Sequence, residues 1–583
     1  MLKKIFISSI FLALFVSVNA QKELFFPKMD SIPIDYRSSG TWLDSIDAKV
    51  AESPNLRPGG GFGSVFEQNL AENLFLSPAG FAYQMPKNKI IPKFSGLPYI
   101  GFQYAFGSAL TQDLNLEYQH FFRPNTHLHF RYNRNTSNGL ARNSAYKLND
   151  VHLRFYHQKR LYATNLEAFY GAYELNQNGG ITIDSQLNQL PLEFIPVEKD
   201  DAKSKVRQLD IRWDNYFRLA GDSIVGFGLK TKHQFELNGR EFTETVSDVT
   251  AIDTMYIDTN GYTRDQYQTS RISNGAGFYF DSKPFKVDAT INHSYWENQN
   301  LGVYRDTNEI FLHSNLWTAL GRKILLHNEF YFNLIGATGE IKNYAKLQYQ
   351  VLKNLSVTGK VNFENVYPEP YLRFHSANYF QWKIDELKMQ QKLQFLGKVK
   401  YGDTNFVQAD IVWTNINNGR YFIGSQWRQD TLALVSLGAI KLKGAYRIKQ
   451  WSFYPSISVR FGSENFNYQP LFSTLNRFAF TTKLFKAKRL GMSVGFDVGY
   501  QTKYHFMTYD AVFDLYQPVQ SGFMTENLMQ LNAFLALSID SFRFFVKAEN
   551  LSSLWQDATI RIDENYPITP FIFRSGITWD FFN

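Results

Sequence analysis

Apolar and polar residues alternate along nearly the whole chain, from about residue 97 to the C-terminus at residue 583. Between Thr126 and Arg134, for example, every second side chain is leucine, phenylalanine or tyrosine, while His127, His129 and Arg131 occupy the positions between them. A period of two residues places successive side chains on opposite faces of an extended strand. The chain is therefore predicted to be all-β, with one apolar and one polar face on each strand.

The extent of this alternation decides between two kinds of β-protein. A soluble sandwich needs only about 100 residues, and one soluble core seldom exceeds about 250 to 300, yet here the pattern continues for about 490 residues without a domain boundary. Segments of about ten alternating residues are typical of transmembrane β-barrels, in which the apolar face meets lipid and the polar face lines the lumen. A series of soluble sandwiches or a propeller is the alternative. A helical membrane protein is excluded, because no run of about 20 apolar residues follows the N-terminus.

The spacing of turn residues predicts the strand number. Short turns are predicted near residues 123–125, 159–160, 221–222, 282–284, 321–322, 353–354, 402–403, 449–450 and 540–541. Long connections are predicted between most of them, near residues 136–146, 175–205, 238–269, 366–387, 463–474, 503–524 and 554–569. Short turns at one end and long loops at the other are characteristic of outer-membrane barrels. We predict a closed antiparallel transmembrane β-barrel of about 22 strands over residues 97–583, with 18 or 20 strands also compatible with the pattern.

The N-terminal part of the chain has a different texture. Two lysines, an apolar stretch from Ile5 to Val16 and the tripeptide ending at Ala20 have the layout of a signal peptide over residues 1–20. A membrane anchor is the alternative, but the apolar stretch is short for a spanning helix. Residues 21–96 contain seven prolines and little alternation, which predicts an irregular segment that is either periplasmic or inserted into the lumen.

Composition excludes several functions. The formal charge of +8 over 583 residues is mild, and no clustered basic run of the kind that binds nucleic acid is visible. The absence of cysteine rules out disulfides, thiolate metal sites, cysteine nucleophiles and a lipid-modified N-terminal cysteine.

The polar face of the strands is the candidate functional surface. Charged and histidine side chains that alternate with apolar neighbours are predicted to line the lumen: Asp113, Glu117, His127, His129, Arg131, Arg154, Asp210, Arg212, Asp214, Lys286, Asp288, Lys342, Lys346, Asp410, Arg543, Lys547 and Glu549. Charge on a pore wall orients polar solutes and sets ion preference. Because both signs are present, weak ion selectivity is expected. For any one of these residues, hydration of the wall or pairing with a neighbour is the simpler alternative.

Other chemistry is only weakly indicated. The His127-x-His129 spacing can place two imidazoles on one strand face, but no third metal ligand follows from the sequence. The glycine-rich stretch from Gly59 to Gly63 lacks the lysine and hydroxyl residue of a phosphate loop. No Gly-x-Ser-x-Gly elbow of a serine hydrolase is present. No catalytic residue, metal or cofactor is therefore assigned.

The C-terminus carries a more specific signal. Arg574, Gly576, Trp579 and Phe581 form a pattern of polar, glycine and spaced aromatic residues that resembles the final-strand signal read by the barrel-assembly machinery. The terminal strand is then expected to pair with the first strand, so that no unpaired backbone faces lipid.

Three segments carry a family resemblance. The stretch from Asn176 to Ile181, the segment from Phe545 to Asn550, and the stretch from Tyr566 to Phe582 are similar to the putative porin family of Bacteroidota-type outer membranes. The resemblance covers most of the chain from about residue 60, although the family favours arginine where Asp580 stands. It implies an outer-membrane porin that lets small hydrophilic solutes diffuse passively. A plugged TonB-dependent-type transporter and a structural or secretion-associated barrel are the alternatives.

Overall fold

A computed structural model describes residues 98–582. The positions inside that range that it does not describe are 124, 183–185, 222–224, 246–260, 283, 301–302, 322, 369–372, 379–380, 385–386, 424–425, 431–433, 464–469, 506, 514, 519–523 and 558. The predicted signal peptide and the whole of the predicted segment 21–96 lie outside the described residues.

A single antiparallel sheet of 22 strands forms the body of the protein. Its first thirteen strands are β1 (Tyr99–Gly107), β2 (Thr111–Arg123), β3 (Thr126–Ser137), β4 (Tyr146–Gln158), β5 (Tyr162–Asn176), β6 (Lys203–Gly221), β7 (Gly226–Thr245), β8 (Tyr262–Asp281), β9 (Phe285–Asn300), β10 (Val303–Leu320), β11 (Ile324–Ile335), β12 (Ile341–Leu352) and β13 (Leu355–Val366). The others are β16 (Gln390–Tyr401), β17 (Phe406–Asn417), β20 (Val435–Ile448), β21 (Trp451–Gly462), β22 (Phe472–Leu484), β23 (Leu490–Gln501), β26 (Leu528–Ile539), β27 (Phe542–Glu549) and β30 (Ile572–Phe582).

The sheet closes because β1 pairs with β30, from Tyr99 opposite Phe582 to Gly107 opposite Arg574. Closure removes both sheet edges, as a strand structure in lipid requires. The predicted closed barrel of about 22 strands, with its terminal strand paired to the first, is thereby confirmed.

The alternation seen in the sequence decides which face of each strand lies inside. On β17, Ile411 and Trp413 are exposed on the outer face, whereas Gln408 and Thr414 are buried on the inner face. This inverts the arrangement of a soluble protein, because the apolar face meets lipid instead of a core. Among the described residues, no helix is long and apolar enough to span a bilayer.

The two ends of the barrel differ in their connections. The end that carries Tyr99 and Phe582, here called the turn end, joins strands through connections of two to five residues, at all nine positions predicted as short turns and also at residues 485–489. The opposite, loop end carries all the predicted long connections, but also short ones at residues 108–110, 301–302 and 336–340. In outer-membrane barrels the short turns are periplasmic.

Backbone conformation explains some of these turns. Gly402 begins the turn between β16 and β17 with a φ of +94°, in the left-handed region that glycine enters without steric cost. A Cβ atom there would collide with the carbonyl oxygen of Asn405.

The loops at the loop end contain small hairpins of their own. Their strands are β14 (Phe374–Ser376) with β15 (Gln381–Lys383), β18 (Gly419–Ile423) with β19 (Gln426–Asp430), β24 (Met507–Asp510) with β25 (Leu515–Pro518), and β28 (Arg561–Asp563) with β29 (Tyr566–Pro567). Single 3-10 turns lie at Ser108–Leu110, Leu192–Phe194 and Leu551–Leu554.

Candidate functional site: the inner wall and mouth of the barrel

The strand register determines which side chains share the inner face. Directly opposite residues on neighbouring strands share a face of the sheet. The cross-strand partners that lead from buried Asp113 around the closed sheet point inward, and the residues between them include the exposed apolar side chains. The structure places all the candidate lumen residues on the inner face: Asp113, Glu117, His127, His129, Arg131, Arg154, Asp210, Arg212, Asp214, Lys286, Asp288, Lys342, Lys346, Asp410, Arg543, Lys547 and Glu549.

The inner face of β2–β9, here called the paired wall, carries eleven acidic and nine basic side chains by this register. Most of these charges lie within ion-pair distance of each other. The shortest pairs join Arg212 Nη2 to Asp210 Oδ2 at 2.7 Å and Lys230 Nζ to Asp288 Oδ1 at 2.8 Å. The other pairs are Arg131–Asp150, Arg154–Glu167, Arg240–Asp265, Arg271–Glu236 and Lys286–Asp281. Opposite charges are therefore neutralised locally within this wall.

The two histidines of the candidate metal motif lie within the paired wall. The rings of His127 and His129 are nearly parallel, with centroids 6.5 Å apart, and both side chains are buried. Glu117 Oε1 lies 3.2 Å from His129 Nε2, while neither ring nitrogen of His127 has a hydrogen-bond partner within the described part of the chain. No group of three or more histidine or acidic side chains among the described residues could hold a metal ion.

The inner face of β12, β13, β16, β17, β20 and β21, here called the basic wall, has a different composition. By register it carries ten basic side chains: Lys342, Lys346, Lys360, Lys392, Lys398, Lys400, Lys441, Lys443, Arg447 and Arg460. The same six strands contribute only two inward acids, Glu364 and Asp410. Sequence reasoning named three of these residues and missed the rest, although they follow the same alternation.

At the loop end, two loops from different parts of the chain meet over the mouth of the barrel. His375, in the loop between β13 and β16, lies with its Nε2 atom 3.1 Å from Asp265 Oδ2 on β8. Its ring stacks on Trp382, with centroids 4.5 Å apart, and makes an edge contact with Phe513 of the loop between β23 and β26, with centroids 5.2 Å apart. Arg240 of β7 donates to the carbonyl oxygen of Val512 in that second loop. These contacts bridge the mouth between separate sectors of the wall.

A second pair of loops meets beside the first. The hydroxyl of Tyr566 donates to Asn178 Oδ1 at 2.6 Å, and the backbone nitrogen of Ile181 donates to the carbonyl oxygen of Asn565 at 3.0 Å. The loop between β5 and β6 is thereby joined to the loop between β27 and β30.

The residues of the C-terminal pattern divide between the two faces of β30. Trp579 and Phe581 lie on the outer face, and Arg574 and Gly576 on the inner face. Arg574 Nη2 lies 2.9 Å from Glu549 Oε2, and Lys547 Nζ lies 3.2 Å from Glu549 Oε1. The hydroxyl of Tyr99 donates to Asp580 Oδ1 at 2.6 Å.

A closed barrel with an apolar outer face and a charged, hydrogen-bonded inner face defines the class of outer-membrane β-barrels. The chain belongs to the putative porin family, whose model matches residues 95–583. This confirms the family expected from the sequence. No curated protein matches the sequence.

Several solved structures share the fold at low sequence identity. The siderophore receptor PirA from Acinetobacter baumannii aligns with a TM-score of 0.57 and 8% identity, over 84% of this chain and 82% of that chain. The copper transporter OprC gives a TM-score of 0.59 and 11% identity, over 85% and 82% of the two chains. The FrpB iron transporter from Neisseria meningitidis gives 0.55 and 11%, over 84% and 82%. At these identities the likeness concerns the architecture alone.

Proposed function

We propose that the protein is an outer-membrane porin through which small hydrophilic solutes diffuse passively. The observation that carries this proposal is the inner face, which is polar and charged on strand after strand of a closed barrel, in a chain of the putative porin family. Such a wall replaces part of the hydration of a polar solute and leaves lipid contact to the outer face. Transport rather than catalysis is the activity assigned.

A plugged transporter of the TonB-dependent type is the second candidate. It is favoured by the strand number, because 22-stranded outer-membrane transporters have a plugged lumen, and by the fold shared with the siderophore receptor, FrpB and OprC. Against it stands the predicted N-terminal segment of 76 residues, 21–96, which is short for a folded plug.

Planar-bilayer conductance separates the two candidates. Purified, heat-modifiable protein is expected to give discrete channels without an added energy source. Well-folded protein that never conducts would overturn the diffusion proposal and favour the plugged or structural reading.

Residues 21–96 are proposed to restrict the pore from the turn end. Lys87, Lys89 and Lys93 offer charges that complement luminal acids. A mature chain starting near Pro92 should then show a larger single-channel conductance than the full mature chain. Unchanged conductance with an intact barrel would instead indicate a loose periplasmic tail.

Export and assembly are proposed to follow from the two ends of the chain. Cleavage near Ala20 would release the mature protein, and the barrel-assembly machinery would recognise Arg574, Gly576, Trp579 and Phe581 before the barrel enters outer-membrane lipid. Deletion of residues 574–583 should leave an exported but unassembled protein. Normal surface exposure and protease resistance of that truncation would reject this assignment.

A further inference from the structure

Charge is segregated around the lumen. The basic wall carries ten bases and two acids, whereas the paired wall carries nine bases and eleven acids. In the closed order of strands the two walls occupy roughly opposite arcs. The strands that flank the basic wall do not change its balance, because β11 adds inward Glu329 and β22 adds inward Arg477 and Lys483. Weak ion selectivity is expected where positive and negative side chains are intermixed around the whole lumen. Here the excess of positive charge is confined to one arc of the wall.

The two acids of the basic wall are each placed between lysines. Asp410 on β17 is the register partner of Lys398 on β16 and of Lys441 on β20. Lys398 Nζ and Lys443 Nζ lie 3.9 and 3.6 Å from its two carboxylate oxygens. Lys400 lies two residues further along β16, closer to the turn end. The group of Lys398, Lys400, Lys441, Lys443 and Asp410 therefore carries a net charge of +3.

The same arrangement recurs nearer the loop end. Glu364 on β13 is the register partner of Lys342 on β12 and of Lys392 on β16. Between the two groups, Lys346 and Lys360 are direct cross-strand partners. Like charges placed directly opposite each other destabilise a strand pair. Because Lys400 lies near the turn end and Lys342 near the loop end, the excess positive charge extends along the strands for most of the length of the barrel.

These charges are accessible from the lumen. The side chains of Lys398 and Lys443 are 51% and 39% exposed, in contrast to 5% for Lys230, which is paired with Asp288 in the paired wall. Lysine is a flexible point charge that attracts carboxylate and phosphate groups without a fixed geometry. Such a wall attracts anions along a pathway and still releases them, as conduction requires.

We propose that the basic wall makes the lumen selective for small anionic solutes, namely those that carry carboxylate or phosphate groups. This inference rests on the proposed diffusion function and names the class of solute. The paired wall offers anions no comparable attraction, because most of its bases are already paired with its acids. The path of an anion therefore follows the basic wall.

The test is the reversal potential of the full mature protein in planar bilayers under a KCl gradient near 0.1 M. The wild-type protein should prefer chloride to potassium. A unit charge about 8 Å from an ion in water changes the local ion concentration about twofold before screening, and screening is moderate at this salt concentration. The double variant K398E/K443E, which changes the wall charge by four units, is therefore expected to lower the chloride-to-potassium permeability ratio at least about fourfold.

The matched control is K203E/R207E, which makes the same change of charge on the outer face of β6 near the loop end. It should leave the permeability ratio unchanged. Channels that prefer potassium, or a ratio that K398E/K443E and K203E/R207E alter equally, would overturn the anion assignment and leave the diffusion function intact.

A protein that does not conduct would instead overturn the diffusion function, and a second measurement then decides the anion assignment. Inorganic tripolyphosphate is titrated calorimetrically into folded protein in neutral detergent. Salt-sensitive binding that is weakened by K398E/K443E but not by K203E/R207E would support an anion-attracting wall. Equal binding by both variants, or none by the wild type, would reject it.

Discussion

One carboxylate contacts side chains on both sides of the seam, the junction at which β1 pairs with β30. Asp580 on β30 accepts a hydrogen bond from the hydroxyl of Tyr99 on β1 and lies 3.5 Å from Arg543 Nη1 on β27. All three residues are buried. Gly101, the register partner of Asp580, makes room for this contact, because a Cβ atom there would lie 2.6 Å from the Tyr99 hydroxyl. Asp580 therefore connects three consecutive strands across the closure.

Two substitutions probe this contact with different expected magnitudes. Tyr99→Phe removes a hydrogen bond to a charged group, which typically contributes about 1.5 to 3 kcal/mol. Asp580→Ala removes the same bond and also breaks the buried ion pair with the Arg543 guanidinium. Breaking a buried ion pair by removing one partner typically costs about 3 to 5 kcal/mol. In the Asp580→Ala background, Tyr99→Phe should cost less than about 1 kcal/mol, because its acceptor is already gone.

The assay is reversible denaturant unfolding of the refolded barrel in detergent or lipid, followed by tryptophan fluorescence, with the midpoint and slope fitted separately. Tyr104→Phe is the matched control, since it makes the same chemical change on the outer face of the same strand. Equal unfolding free energies for Tyr99→Phe and Tyr104→Phe, or full additivity of Tyr99→Phe with Asp580→Ala, would refute the seam as a coupled contact.

Three further outcomes are expected. Gly576→Ala should lower stability by about 1 to 3 kcal/mol by overpacking, measured in the same unfolding assay, because its Cβ would lie 2.5 Å from the Phe545 ring and 2.7 Å from the carbonyl oxygen of Tyr104. An unchanged midpoint would show that the ring and the neighbouring strand adjust without cost. Burial raises the pKa of the Asp510 carboxyl in the loop between β23 and β26. The stability that this carboxyl contributes is therefore greatest below the ordinary carboxyl range and is lost as pH rises through the raised pKa. Unfolding midpoints between pH 4 and 8 should fall more steeply for the wild type than for Asp510→Asn, and parallel curves would contradict this. Trp382→Ala removes the ring that stacks on His375 at the mouth of the barrel and lies 5.4 Å from Phe513 between ring centroids. Single-channel conductance should rise, and unchanged conductance would show that these loops do not narrow the pore.

The period of the sequence determined much of this protein. An alternation of two over nearly 490 residues leaves few structures other than a large β-sheet, and the predicted turns account for most of the connections between its 22 strands. The same alternation put every candidate lumen residue, from Asp113 to Glu549, on the inner face. Local chemistry suffices here, because side-chain direction in a strand follows from position parity alone.

Tertiary structure decided what those inner residues do to each other. The strand register makes Lys346 the partner of Lys360 and places Asp410 between Lys398 and Lys441. These cross-strand partners cannot be identified from the sequence alone. Closure of the sheet, in turn, brings Tyr99 to Asp580 across 481 positions. Sequence parity indicates which face a charge occupies, but its neighbours depend on register and strand order. The segregation of charge into a paired and a basic wall is for that reason a property of the folded barrel.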